Sequence, residues 1–89
     1  MEIVKNRYGN DRVIEKISGN RIRIMGDSLI VRESHDDNGN LTMFDFEGGP
    51  CLNVGGKVKY LGTEFKIQSI KKEESKQEDL FSVLLEVSL

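Results

Sequence analysis

The amino-acid sequence predicts an all-β fold, a small barrel or sandwich of about seven or eight short antiparallel strands. Three observations point there. Short runs of alternating apolar and polar residues recur at roughly 8–12-residue spacing, separated by glycine- and asparagine-containing turns. Phe81, Val83, Leu85, Val87 and Leu89 alternate without a break, so a final strand lays one apolar face on the core. Between residues 44 and 70, five glycines and the only proline lie between short β-type runs, which marks a backbone led through corners.

The elements follow in order. Residues 2–8 form a first strand, closed by Gly9-Asn10-Asp11, and residues 12–17 a second, closed by Ser18-Gly19-Asn20. In residues 21–25, Ile22 and Ile24 alternate with Arg21 and Arg23, the pattern of a strand with one wet face. Gly26-Asp27 turns the chain into residues 28–33. The segment 35–40 is the strongest hairpin signal, because Asn38-Gly39 accommodates the positive φ angles of a type I′ turn; it pairs 29–33 with 41–47. Short strands over 51–54, 57–61 and 64–70 follow, with Gly62-Thr63 as the turn before the last of these. Residues 71–79 contain no apolar side chain and read as an exposed loop. No convincing internal repeat is present.

Size and charge bound the function. Eighty-nine residues make one domain, 1–89. Such a domain buries about 60–65% of its unfolded surface, so its stability is marginal or shared across an oligomer interface. No run approaches the ~18 apolar residues that span a bilayer. The first residues lack the apolar core of a signal peptide, and the expectation is a cytoplasmic protein. With one cysteine and one histidine, neither an internal disulfide nor a structural zinc site within one chain can form. The net charge of −2 disfavours nonspecific nucleic-acid binding. That charge is uneven: residues 1–35 carry seven basic and five acidic side chains, residues 36–56 four acidic and no basic ones. A bipolar chain of this kind favours contact with another protein or with its own copy.

Several groups invite a functional reading, and each has a plainer one. Cys51 beside Pro50 has only His35 to act as a base, and a half-buried cysteine entering a strand is the simpler account. Asp45 and Glu47 project from one strand face, as acid–base or metal-binding carboxylates would, yet no third ligand is evident. Residues 36–40 imitate a calcium loop, but the position six after Gly39 is Asp45, inside a strand, and a hairpin tip fits better. Gly48, Gly49, Gly55 and Gly56 match neither phosphate-binding fingerprint, and glycine pairs between short strands mark bulges or corners. They would also let a ligand approach the main chain closely. Arg7, Arg12, Arg21, Arg23 and Arg32 would grip phosphates if they converged, with Tyr8 and Tyr60 for stacking; otherwise they form a solvated face with scattered ion pairs.

The succession Val31-Arg32-Glu33-Ser34, a polar hairpin, Leu41-Thr42-Met43-Phe44-Asp45, then Glu47-Gly48-Gly49-Pro50 and Val54-Gly55-Gly56 resembles small uncharacterised proteins encoded by phages and other mobile elements. The resemblance spans residues 31–70. It implies a compact, non-enzymatic, oligomeric protein that binds a host protein or sequesters a small signalling molecule, in the host cytoplasm if phage-encoded.

The resulting expectation is a non-enzymatic binding protein without cofactor, metal or catalytic residue. It would be a homo-oligomeric, phage-type accessory or anti-defence factor that occludes a host protein or sequesters a small anionic, nucleotide-like ligand. Arg21, Arg23, Arg32, Asp45, Glu47, Gly48, Gly49 and Tyr60 are the candidate contact residues. A structural subunit or adaptor of a larger assembly such as a virion is the alternative. A nucleic-acid-binding barrel of OB type comes third, because it needs stacking aromatics and the phenylalanines read mostly as core.

Overall fold

A computed structural model describes residues 2–5, 11–27, 31–46, 51–74 and 80–89. The described residues form nine strands: β1 (Glu2–Lys5), β2 (Asp11–Ile17), β3 (Arg21–Asp27), β4 (Val31–His35), β5 (Leu41–Phe46), β6 (Leu52–Asn53), β7 (Lys57–Tyr60), β8 (Thr63–Glu73) and β9 (Leu80–Ser88). All pairings are antiparallel, in one sheet of order β1-β2-β3-β9-β8-β5-β4, with β6 beside β5 and β7 beside β8. The expected all-β antiparallel fold is what forms. It is a single open sheet, and among the described strands it does not close into a barrel.

The last strand sits near the middle. β9 pairs with β3 along Arg21–Asp27 and with β8 along Lys66–Glu73, so it joins the β1–β3 meander to the β4–β8 unit. Its inward residues explain why. Leu85 opposes Ile22 and Val83 opposes Ile24, and all four side chains are fully buried. A strand whose inward face is wholly apolar gains most when it has a neighbour on both edges. The alternation ends at Val87: Leu89 lies past β9 and is 91% exposed, so it does not belong to the core face.

Two bulges curl the sheet. In β8, Ile67 pairs with Val87 and Ser69 with Glu86, leaving Gln68 as an extra residue. In β5, Ser34 pairs with Met43 and His35 with Leu41, leaving Thr42 extra. Each bulge reverses the parity of side chains, so the inward set changes from Phe65 and Ile67 to Ile70 in β8, and from Leu41 to Phe44 and Phe46 in β5. The bulged segments meet where Leu41 pairs with Ile70. The added twist brings Phe46 of β5 to 4.5 Å, ring centroid to centroid, from Phe81 of β9, although β8 lies between those strands. Phe44, fully buried, stands 5.6 Å from the same ring.

Turn chemistry differs in detail from the sequence reading. The β4–β5 connection is not a two-residue type I′ turn. Gly39 N–H donates to the Asp36 carbonyl and Gly39 has φ +83°, which is a type I turn followed by a left-handed glycine. Asp36 caps it, its Oδ1 accepting from the N–H groups of Asn38 and Asn40. These donors, Asn40 first, hold the Asp36 carboxyl below its ordinary value. The β7–β8 turn centres on Leu61-Gly62, at φ +48° and +84°, one residue earlier than expected. Residues 71–73 continue β8 and are not loop; residues 75–79 lie outside the described residues.

Candidate functional site

Arg23 sits at the centre of the outer face, where it holds four strands together. Its Nε and Nη2 donate to the two carboxylate oxygens of Glu73 on β8, at 2.8 and 3.2 Å. Its Nη1 donates to Glu15 on β2 at 2.9 Å, and Ser82 of β9 donates to Glu73 at 2.9 Å. The partially buried guanidinium is raised above its ordinary pKa, chiefly by the Glu73 hydrogen bond. The Glu73 carboxyl is lowered, by Arg23 first and then by Ser82. With both faces of its fork occupied, Arg23 is a structural clamp and offers no donor pair to a phosphate.

Arg21 shares its face of β3, but Arg32 does not join them, and Arg7 and the Arg12 side chain lie outside the described residues. Arg21 donates Nε to the Ser18 carbonyl at 3.1 Å and faces Glu86 across the β3–β9 ladder. Arg32 lies on β4, with β9, β8 and β5 between it and β3. It is paired with Asp45, directly opposite on β5, at 3.4 Å. So Asp45 is a cross-strand counter-ion. Tyr60, expected as a stacking surface, is a core residue at 9% exposure. Glu47, Gly48 and Gly49 lie outside the described residues. The converging arginine and glycine surface that a nucleotide site needs is thus not assembled from the described candidates.

Gly55 and Gly56 serve the backbone. Gly55, at φ +87°, is the third residue of a turn closed by Gly56 N–H donating to the Asn53 carbonyl, the type II position that demands positive φ. Gly55 N–H donates to the Ile67 carbonyl and Ile67 N–H donates to Gly56, so this turn continues the β8 ladder beyond β7. A Cβ at Gly56 would come within 3.1 Å of the Asn53 carbonyl oxygen. Cys51 is exposed, and its hydrogen-bond partner is the Asn53 amide at 3.5 Å, which is no base. Among the described residues no three histidine, cysteine or carboxylate side chains cluster as a metal site would require.

What the fold does build is an open groove of about 770 Å³ on the outer face, over the junction of β8 and β5. Both bulge residues, Thr42 and Gln68, line it, which follows from the way a bulge tilts the local backbone. Half-buried Leu84 and exposed Val54 are among its apolar lining, with buried Leu41 and Ile70. The rim is charged in both senses: Arg21 and Lys71 on one side of the balance, Asp36 and Glu86 on the other. Lys71 makes no ion pair with a described residue and is exposed.

Of the groove residues, Arg21 is a candidate contact by sequence, and His35 and those within 36–40 invite other chemistry, but nothing in the sequence joins them to Thr42, Val54, Gln68 or Leu84. The signal that existed was parity. Leu41 and Phe44, and likewise Ile67 and Ile70, are three apart in strands where inward residues should be two apart. Such a break implies a bulge, and bulges are enriched beside binding sites. No helix among the described residues is long and apolar enough to cross a membrane. Comparison with protein-family models, with curated proteins and with solved structures gave no match to this chain.

Proposed function

We propose that the chain is a non-enzymatic binding protein that engages another protein through the outer-face groove, in the manner of a phage-type accessory or anti-defence factor that occludes its target. The observation that carries this reading is the composition of the groove. Apolar Leu84 and Val54, with buried Leu41 and Ile70, line it together with polar and oppositely charged side chains, the mixture of a protein contact surface. Small-molecule sites are mostly enclosed and bury most of their ligand, whereas this groove is only partly enclosed.

The anionic-ligand reading has less support, because Arg23 is held by Glu15 and Glu73, and Arg32, exposed beside Asp45, stands on β4 with three strands between it and β3, so the two do not converge. Two experiments separate the readings. Tagged protein recovered from its natural host should retain one protein in near-stoichiometric amount, and the double variant Val54→Glu/Lys71→Glu should lose it. A thermal-shift panel of mono- and cyclic nucleotides should give no shift. A nucleotide that stabilises the chain by about 2.7 kcal/mol at 100 times its dissociation constant would overturn the protein-partner reading.

A further inference from the structure

The β4 edge has a feature independent of the groove. β4 ends the sheet, and no described strand pairs with its outer side. Ladder parity identifies which main-chain groups point outward. Asp36 N–H donates to the Asn40 carbonyl on the hairpin side, so Ser34 and Arg32 also direct their main-chain groups toward β5. Glu33 and His35 therefore turn theirs away from the sheet. Side chains 32–35 are all exposed, Arg32 to 76%.

We propose that two copies of this chain join by antiparallel pairing of β4 with β4, on a two-fold axis through Ser34. New hydrogen-bonded pairs can form only between outward-facing residues, which puts the axis on a residue of the strand; an axis at Val31 would draw on residues 29 and 30, outside the described residues, and four positions remain. An axis at Arg32 sets Arg32 against its own copy. An axis at Glu33 opposes two glutamates. An axis at His35 opposes two histidines and sets Glu33 against Asp37. An axis at Ser34 places Glu33 opposite His35 and Arg32 opposite Asp36, each twice by symmetry. Of the four, only this last register opposes no like side chains; it sets carboxylates against Arg32 and against the His35 imidazole, with Asp37 beside Val31, and like charges directly opposed are destabilising.

Glu33 holds the Lys72 ammonium at 3.3 Å, and its carboxylate would be shared with His35 of the second copy. The Arg32 guanidinium, exposed beside Asp45, can reach across the edge while keeping that ion pair. The Asp36 carboxylate is fixed by the N–H groups of Asn38 and Asn40, so it is presented in one orientation. The competing account is that Arg32 and Glu33 are edge charges that keep β4 unpaired, as many sheet proteins arrange. It predicts a monomer at every concentration.

Sedimentation tests the pairing and a cysteine tests its register. The wild-type chain should sediment as a dimer of twice 10.1 kDa and dissociate on dilution. Glu33→Lys and His35→Glu should each be monomeric, the first because it removes the carboxylate opposite His35 and the second because it sets glutamate against Glu33; Glu33→Lys also gives up the Lys72 ion pair, so circular dichroism checks that each variant keeps its fold. Mixed one to one they should form a heterodimer, because Lys at 33 then faces Glu at 35. Ser34 against its own copy is a non-hydrogen-bonded pair with Cα atoms about 4.5 Å apart, within disulfide range. Ser34→Cys in a Cys51→Ser background should therefore oxidise to a covalent dimer far faster than Glu33→Cys in the same background. A wild-type monomer up to about 1 mM overturns the proposal, since that excludes even the weakest specific association. Dimeric single variants, or failure of the mixture to associate, overturn the Ser34 axis. Sedimentation reads the edge and host capture reads the groove, so the two readings fail separately.

Discussion

Leu84 and Leu85 are adjacent leucines on opposite faces of β9, and truncating each in turn measures the sheet directly. Leu85 is fully buried, opposed by Ile22 on β3 and Ile70 on β8. Shortening it to alanine removes three carbons from the core, about 2.4 kcal/mol at ~0.8 kcal/mol per buried methylene, and leaves a cavity that adds to this. We expect Leu85→Ala to cost about 3–4 kcal/mol. A chain of 89 residues has about 4–13 kcal/mol to lose, so the variant will stand close to its unfolding threshold. Leu84 is half-buried on the outer face, opposite Arg23 and Lys71, and Leu84→Ala should cost about 1 kcal/mol. Urea unfolding followed by circular dichroism, at one fixed protein concentration, gives both values. Equal costs for the two variants, or less than about 1.5 kcal/mol for Leu85→Ala, would refute the assignment of β9 as the two-sided central strand.

Other perturbations test the clamp and the turns. Glu73→Gln should cost about 1–2 kcal/mol at pH 7 by weakening the paired bonds to Arg23. Because the folded Glu73 carboxyl is lowered, its contribution is complete above its ordinary value near 4.3 and is lost as pH falls through the lower folded value. The wild-type and Glu73→Gln unfolding midpoints should accordingly converge on acidification; a constant gap would argue against the clamp. Leu61→Asn should stabilise by about 1 kcal/mol, since leucine at φ +48° is strained where asparagine before glycine is at ease. Gly62→Ala should destabilise by about 1–2 kcal/mol, though a Cβ there meets nothing within 4 Å, because φ +84° is the obstacle. A thermal scan of both turn variants checks the signs.

What the sequence disclosed and what it hid follow one rule. Where apolar and polar residues contrast, as in Ile22–Ile24 and Phe81–Val87, strand and inward face could both be read. Where every residue is polar, as in Lys71–Lys72–Glu73, alternation has no contrast, and the end of β8 looked like loop. Leu84 blurred its own strand by being apolar on the outer face. The order of strands was not legible, because nothing local in Leu80–Ser88 says that it pairs with β3 as well as with β8. Nor could the role of Arg23 be seen, since its partners Glu15 and Glu73 lie 8 and 50 residues away. The resemblance over residues 31–70 implied a binding role and includes Leu41, Thr42 and Val54 of the groove, but attached no role to them.

The most direct test of the binding account is photo-crosslinking from inside the groove. A benzophenone amino acid replaces Thr42 in one variant and Lys59, an exposed residue on β7 and not part of the groove, in another. Irradiated in the natural host, the Thr42 variant should give one heavier adduct whose added mass is a single host polypeptide, and the Lys59 variant should give none. Adducts of equal yield from both positions, or none from Thr42 beyond the chain's own copy, would contradict the claim that this groove is where the protein acts.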